Sequence, residues 1–186
     1  MRIIAGEYKG RRLETPKDNS VRPTTDKVKE ALFSILTNDI WGRRVLDLFA
    51  GTGSLGLEAL SRGASECVFA DQSRDSLKII RGNIEHCGAG DRAKVVQGDY
   101  RRVLMSQHKP FDIILLDPPY DKTMLGDCFR LIAENSLLTD DGYIVAEHRR
   151  EEQMPDEMAG FVKVKERRYG IVVLSIYGCA ENIEVL

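Results

Sequence analysis

The sequence predicts an α/β protein whose doubly wound, mostly parallel sheet of seven strands ends in an antiparallel hairpin. Its 186 residues fit one domain. From residue 43 onward, short apolar runs alternate with helical stretches, a pattern typical of βαβ units with right-handed crossovers. The last two strand-like runs are joined by Tyr169-Gly170 alone, which leaves no room for a helix between them.

Apolar runs and helical periodicity place the elements of the sheet. Strands are predicted at residues 45–49, 67–70, 94–97, 113–116 and 143–147, and hairpin strands at 161–168 and 171–177. Helices are predicted between the parallel strands at residues 54–62, 73–87, 99–106 and 123–136.

The N-terminal segment predicts a hairpin arm, residues 1–23, before a domain of residues 24–186. Strand-like runs at 2–5 and 11–14 flank a turn-forming segment and precede a polar loop. A helix follows, capped by Thr24 or Thr25. Its apolar side chains recur at helical spacing: Val28, Leu32, Ile35 and Leu36.

Charge is unevenly distributed along a chain that is almost neutral overall, with a formal net charge of −2. Residues 1–29 hold eight basic and four acidic side chains, a charge of +4, which leaves −6 for the rest. This composition excludes a bulk polycation, so any contact with nucleic acid must come from a local patch, with Arg11 and Arg12 as candidates. A solvated basic arm is the alternative interpretation.

Cysteine usage and hydropathy predict a soluble cytoplasmic protein. The four cysteines form no CxxC pair and no histidine spacing completes a zinc site, so no metal is expected. The N-terminus has no secretory signal, and the aliphatic run 113–116 is far too short to span a bilayer. We therefore expect no membrane contact.

A glycine motif, V-L-D-L-F-A-G-T-G-S-L-G, lies at the junction of a strand and a helix. Gly51 and Gly53 let the backbone approach a ligand and point N–H groups at it. The motif fits a dinucleotide or S-adenosylmethionine, and Asp71, about twenty residues further on, suits the ribose of either. Asp47 favours S-adenosylmethionine over a dinucleotide, because a carboxylate repels a pyrophosphate but attracts a sulfonium and an ammonium. The alternative interpretation of Asp47 is a hydrogen-bonded acid that closes the loop.

Asp99 and Tyr100 follow the third strand. The carboxylate of Asp99 can accept a hydrogen bond from an adenine amino group, while Tyr100 flanks the ring. Asp99 is equally suited to cap the next helix, and the two roles are compatible.

The decisive motif is Asp117-Pro118-Pro119-Tyr120, directly after the fourth strand. The exocyclic amine of a base is a poor nucleophile because its lone pair is delocalised into the ring. Hydrogen bonds from it to Asp117 and to the carbonyl of Pro118 would favour a tetrahedral nitrogen and aim its lone pair at a methyl donor. The prolines stiffen the turn, and Tyr120 offers an aromatic face to an unstacked base. A plain proline turn is the alternative for the dipeptide alone.

Together these motifs resemble class I methyltransferases with a Rossmann-like sheet, and more narrowly the RsmD family, which methylates guanine N2 in small-subunit ribosomal RNA. The narrower likeness rests on residues 2–13, similar to the family's opening hairpin, and on residues 22–33, similar to its signature helix. It runs from about residue 1 to 178. The resemblance implies S-adenosylmethionine as cofactor and a substrate within an assembled or assembling ribosomal subunit.

The resemblance also implies roles for single residues. Asp71 would hold the ribose, Asp99 the adenine, and residues 117–120 the target amine, with Gly51 and Gly53 beneath the methionine part. Arg22 would meet RNA phosphate or line the site, or else anchor the helix through a salt bridge. The family often has Phe where this chain has Tyr120, and Tyr is usual in adenine-N6 enzymes. Methylation of adenine N6 in DNA or RNA is therefore the alternative.

Other classes of function fit only part of the sequence. The glycine motif alone suggests a nicotinamide oxidoreductase, but Asp47 and residues 117–120 count against it. The basic arm suggests a non-catalytic RNA-binding module, against which the intact cofactor and target motifs count. Enzymes that methylate protein glutamine usually have Asn at the position of Asp117. A base methyltransferase that uses neither a metal nor a covalent intermediate is the prediction.

Overall fold

The computed structural model describes residues 1–16, 26–36, 40–119 and 122–180. Helices occupy α1 (Asp26–Ile35), α2 (Ser54–Ser61), α3 (Arg74–Cys87), α4 (Tyr100–Met105) and α5 (Lys122–Glu134). Strands occupy β1 (Arg44–Asp47), β2 (Glu66–Asp71), β3 (Ala93–Gln97), β4 (Phe111–Leu116), β5 (Leu138–Arg149), β6 (Glu157–Met158), β7 (Phe161–Tyr169) and β8 (Val172–Cys179).

The strands form one sheet in the order β3-β2-β1-β4-β5-β8-β7-β6. Neighbours from β3 to β5 are parallel, and β8, β7 and β6 are antiparallel to their neighbours. The predicted mostly parallel sheet with an antiparallel end is thus confirmed. Seven of the strands were expected; the eighth, β6, is a two-residue edge strand, too short to show an alternating pattern.

Strand order reverses between β1 and β4, because the chain winds outward from β1 through β2 to β3 and then returns to β4. In open α/β sheets, ligands bind outside the carboxyl ends of the strands at such a switch point. The loops after β1 and β4 therefore meet at one edge of the sheet.

Two apolar cores cover the two faces of the sheet. Leu115 packs with side chains of α1, α2 and α3, whereas Leu116 packs with side chains of α4 and α5. This follows from the alternation of side chains along a strand that is buried on both faces. None of the described helices is long and apolar enough to cross a membrane.

The N-terminal arm folds against the first of these cores. Arg2 and Arg12 form an isolated antiparallel bridge, so the predicted hairpin has only one bridged pair. Ile3, Tyr8 and Leu13 are buried, which fixes the arm on the domain. The predicted caps at Thr24 and Thr25 and the boundary at residue 23 lie outside the described residues.

A buried lysine joins the arm to the start of α2. Lys29 in α1 donates to the carbonyl of Arg2 at 2.6 Å and to Oγ of Ser54 at 2.9 Å. Its Nζ lies 3.5 Å from Oε2 of Glu58, and both side chains are fully buried. Burial lowers the pKa of Lys29, and the negative charge of Glu58 opposes this shift.

Candidate active site

A cleft of about 490 Å³ opens at the carboxyl edge of the sheet, above the switch point between β1 and β4. This volume lies in the range of small-ligand sites. The cleft brings together most of the predicted site residues that the structure describes: Gly51, Asp71, Asp99, Tyr100, Asp117, Pro118 and Pro119. Asp47 and Gly53 do not line it, and Tyr120 lies outside the described residues.

The loop between β1 and α2 depends on its glycines. Gly51 and Gly53 have φ of 54° and 77°, in the left-handed region that glycine adopts without strain. At Gly56, an added Cβ would lie 2.3 Å from Cε1 of Phe69 and 2.7 Å from Sγ of Cys67. The third glycine therefore lets α2 press against β2, which holds the loop at the mouth of the cleft.

Asp71, the last residue of β2, links this loop to the start of α3. One carboxylate oxygen accepts from the N–H of Gly51 at 2.9 Å, and the other accepts from the N–H of Ser73 at 2.8 Å. A carboxylate has about four acceptor positions, so Asp71 keeps capacity for ligand hydroxyls while these bonds fix its orientation.

Asp99 and Tyr100 form the end of the cleft next to β3. The carboxylate of Asp99 accepts from the N–H of Arg101 at 3.0 Å, which confirms the predicted cap of α4. The ring of Tyr100 lies 5.8 Å from that of Phe49 and its hydroxyl donates to Asp127 at 2.8 Å. Burial and the carboxylate of Asp127 raise the pKa of Tyr100 to about 12, so it stays a neutral donor.

Asp47 lies beneath the loop, only 2% exposed. Its carboxylate accepts from the N–H of Gly56 at 2.9 Å, the loop-closing bond considered as its alternative role. Burial raises its pKa to about 7, and the charges of Asp117 and Asp71 add to the shift. A direct contact with a cofactor cation stays a prediction.

Residues 117–119 follow β4 directly, as predicted. Asp117 is half-buried, Pro118 buried and Pro119 exposed, so the motif spans the wall and the rim of the cleft. Because Gly51 and Asp117 line the same cleft, the glycine loop and the target motif meet in one site.

Glu147 near the end of β5 also lines the cleft, and no role was predicted for it. The sequence could have predicted this position, because an acid at the carboxyl end of the fifth parallel strand lies at the same edge of the sheet as Asp117. Met124 of α5 faces the cleft as well. Within the described ranges, no three His, Cys, Asp or Glu side chains are grouped to hold a metal ion.

Arg11 lies far from the cleft. Its guanidinium donates to the carbonyl of His86 at 3.0 Å, near the C-terminal end of α3. Ser76, which lines the cleft, is ten residues earlier in this helix, about 15 Å along its axis. The RNA contacts of Arg11 and Arg12 stay predictions, and Arg22 lies outside the described residues.

The sheet order, the glycine loop and acids at the ends of β2, β3 and β4 define the protein as a class I methyltransferase. A family model described as conserved hypothetical protein 95 matches residues 1–178. The chain therefore belongs to this family, the RsmD family, which confirms the resemblance predicted from the sequence.

Two relatives and one solved structure illustrate the match. YlbH of Bacillus subtilis strain 168 is 41% identical over 180 residues, which cover 95% of this chain and 98% of YlbH. Ribosomal RNA small subunit methyltransferase D of Escherichia coli strain K12 is 34% identical over 177 residues, 95% of this chain and 89% of that protein. The solved structure of yhhF from Escherichia coli has a TM-score of 0.86 at 34% identity and covers 95% of this chain and 96% of its own.

Proposed function

We propose that the protein is a cytoplasmic enzyme that methylates the N2 amine of a guanine in small-subunit ribosomal RNA, within an assembled or assembling subunit. The observation that carries this proposal is the position of Asp117, Pro118 and Pro119 in one cleft with Asp71 and Asp99. The name of the Escherichia coli relative supports small-subunit ribosomal RNA as the substrate. The relatives do not favour adenine N6 in DNA or RNA.

The residues of the cleft suit S-adenosylmethionine as the methyl donor. Two carboxylates stand at the ends of adjacent strands, where Asp71 would hold ribose hydroxyls and Asp99 the adenine amine. Phe49 and Tyr100 supply aromatic surface beside the adenine position, and the backbone at Gly51 leaves room for the methionine part. The cofactor supplies an activated methyl group on a sulfonium.

The target motif then orients the nucleophile. The carboxylate of Asp117 and the carbonyl of Pro118 accept hydrogen bonds from the exocyclic amine, which directs its lone pair toward the methyl group. The negative charge of Asp117 stabilises positive charge that develops on the attacked nitrogen. Neither proline has a backbone N–H that could compete for these acceptors.

Nucleoside analysis by mass spectrometry of ribosomal RNA from cells that lack the gene tests the proposal. We expect N2-methylguanosine to decrease by one residue per small subunit and to return when the intact gene is restored. Loss of N6-methyladenosine instead would assign the enzyme to the alternative substrate. An unchanged nucleoside profile would contradict both.

Asp71→Ala should weaken cofactor binding at least tenfold, because each charge-assisted hydrogen bond contributes roughly 1.5–3 kcal/mol and about 1.4 kcal/mol is a factor of ten. Calorimetric titration with S-adenosylhomocysteine measures the change. The matched control is Asp75→Ala, which removes an exposed acid from the first turn of α3. Equal affinities for the parent and Asp71→Ala would exclude the ribose contact.

Asp47 should make cofactor affinity depend on pH. Because its pKa in the free protein is about 7, its carboxyl is protonated at lower pH. A cationic cofactor group favours the ionised form, so binding releases this proton. Affinity for S-adenosylmethionine should therefore rise with pH by up to about tenfold per unit and level off near pH 7. Calorimetry between about pH 5 and 7.5 should show this slope in the parent and not in Asp47→Asn.

The same shift has a consequence for the free protein. A raised pKa in the folded state contributes stability below the ordinary value of 3.8, and this stability is lost as the pH rises to about 7. Asp47→Asn does not titrate, so it should unfold at a higher temperature than the parent at about pH 7.5 but not at about pH 4. A pH-independent difference in Tm would contradict this account.

A further inference from the structure

The β7–β8 hairpin sorts its charged side chains between the two faces of the sheet. Lys163 pairs with Tyr177, but Lys165 pairs with the adjacent Ile176, so the register shifts by one residue at this point. A one-residue shift changes which face the following side chains occupy. The alternating sequence beyond the shift is therefore divided into two chemically different surfaces.

One of these surfaces continues directly from the active-site cleft. Arg167 in β7 pairs with Leu174 in β8, and Leu174 pairs with Glu147 in β5. Residues that are directly opposite one another on neighbouring strands share a face of the sheet. Since Glu147 lines the cleft, the exposed guanidinium of Arg167 lies on the cleft-side face.

The next paired row extends this face outward. Arg149 and Tyr169 both pair with Val172, two residues beyond Leu174 along β8. Val172 is buried and Tyr169 packs against the core that contains it, while Arg149 is exposed. Ile171, in the turn after β7, is half-exposed. It lies three residues before Leu174, or about 10 Å along the strand from the row that contains Leu174 and Glu147.

The opposite face carries its own counter-ions. Glu166 accepts from Lys163 at 3.2 Å and from Arg168 at 2.9 Å. Arg150 and Arg168 line a separate cavity of about 420 Å³ on that side. Glu166 of β7 thus forms its ion pairs on the opposite face, whereas the cleft-side face carries arginines.

We propose that the cleft-side face of the sheet at β5, β7 and β8, defined by Arg149 in β5 and by Arg167 and Tyr169 in β7, is an RNA-binding surface. It holds the phosphates of the strand that flanks the target base. The inference rests on the proposed function and assigns the RNA contact next to the target residues, whereas Arg11 lies near the other end of α3.

Charge and shape both fit this occupant. The planar guanidinium fork matches phosphate, and backbone contacts set register for a base that must leave its stack. The ring of Tyr169, partly buried against the core, can stack on an unpaired base or ribose. Because the chain is acidic outside residues 1–29, a local basic face beside the cleft is needed to bring an anionic polymer to the site.

The test compares two double variants, each with one substitution at or directly after the end of β5 and one in β7. Arg149→Gln with Arg167→Gln removes two charges from the cleft-side face, and Arg150→Gln with Arg168→Gln removes two from the opposite face. Binding of each protein, loaded with S-adenosylhomocysteine, to small ribosomal subunits from cells lacking the gene is measured over a range of salt concentrations. Cofactor affinity and thermal unfolding of both variants should match the parent.

We expect the cleft-side variant to lose affinity roughly tenfold for each lost phosphate contact and its salt slope to fall by about one per contact. The opposite-face variant should stay within about threefold of the parent. Equal losses in both variants, or none in the first, would overturn the inference. A parent that neither binds nor methylates the subunits would instead refute the proposed function. If the double variant unfolds, the two single variants should each show half the change in slope, and an unchanged slope in both would overturn the inference.

Discussion

Asp117→Ala should slow methyl transfer by about 10²–10³-fold, equivalent to about 2.7–4 kcal/mol of transition-state stabilisation. Under the proposed mechanism, the variant loses both the acceptor that orients the amine and the charge that stabilises the attacked nitrogen. Asp117→Asn keeps an acceptor oxygen and loses only the charge, so it should retain part of the activity. Single-turnover transfer from labelled S-adenosylmethionine to small ribosomal subunits measures both rates.

Cofactor binding separates this effect from damage to the fold. Asp71 and Asp99, at the carboxyl ends of β2 and β3, are untouched, so both variants should bind S-adenosylhomocysteine. Asp140→Ala, which removes an exposed acid in β5, is the matched control and should react at the parental rate. A near-normal rate for Asp117→Ala would refute the mechanism.

Glu58→Ala should destabilise the protein by about 3–5 kcal/mol, the usual loss when one partner of a buried ion pair is removed. The carboxylate of Glu58 accepts from the N–H groups of Ile4 and Ala5 at 2.8 and 3.0 Å and from Nε of Arg62 at 2.8 Å. It also faces the buried ammonium of Lys29. Alanine would leave this buried cation without its counter-ion and the N–H groups of Ile4 and Ala5 without their acceptor.

Thermal denaturation measures the loss, which corresponds to a decrease in Tm of roughly 6–20 °C for a chain of this length. The control is Glu134→Ala, which breaks an exposed pair with Arg130 on α5 and should cost at most about 1 kcal/mol. Comparable decreases in Tm for the two variants would show that burial of the Glu58 ion pair adds nothing to its contribution to stability.

The sheet and most of the cleft could be predicted because local patterns determine them. Buried strands read as apolar runs, and parallel strands bring their carboxyl ends to one edge, so Asp71, Asp99 and Asp117 had to converge there. The first half of β5 was not predicted, because residues 139–142 are Thr, Asp, Asp and Gly. They lie at an irregularity between the Leu138–Phe111 and Tyr143–Ile113 pairs, which no local pattern reveals.

Features that depend on packing between distant segments could not be predicted. Arg11 looked like part of a free basic arm, but its contact with His86 arises only because the arm packs against α3. The depth of Asp47 beneath its own loop depends on the close approach of α2 to β2 at Gly56. The side of the sheet on which Arg167 lies depends on the register shift between Lys163 and Lys165, which the alternation of the sequence does not reveal.

The contacts of the N-terminal arm connect it to the glycine loop at the cleft. Lys29 ties the carbonyl of Arg2 to Ser54, and Thr52 donates through its hydroxyl to the sulfur of Met1. Asn83 bridges the carbonyl of Thr52 to the backbone of Glu14. A tag, fusion or truncation that displaces residues 1–14 should therefore disturb the loop that carries Gly51, although these residues do not line the cleft.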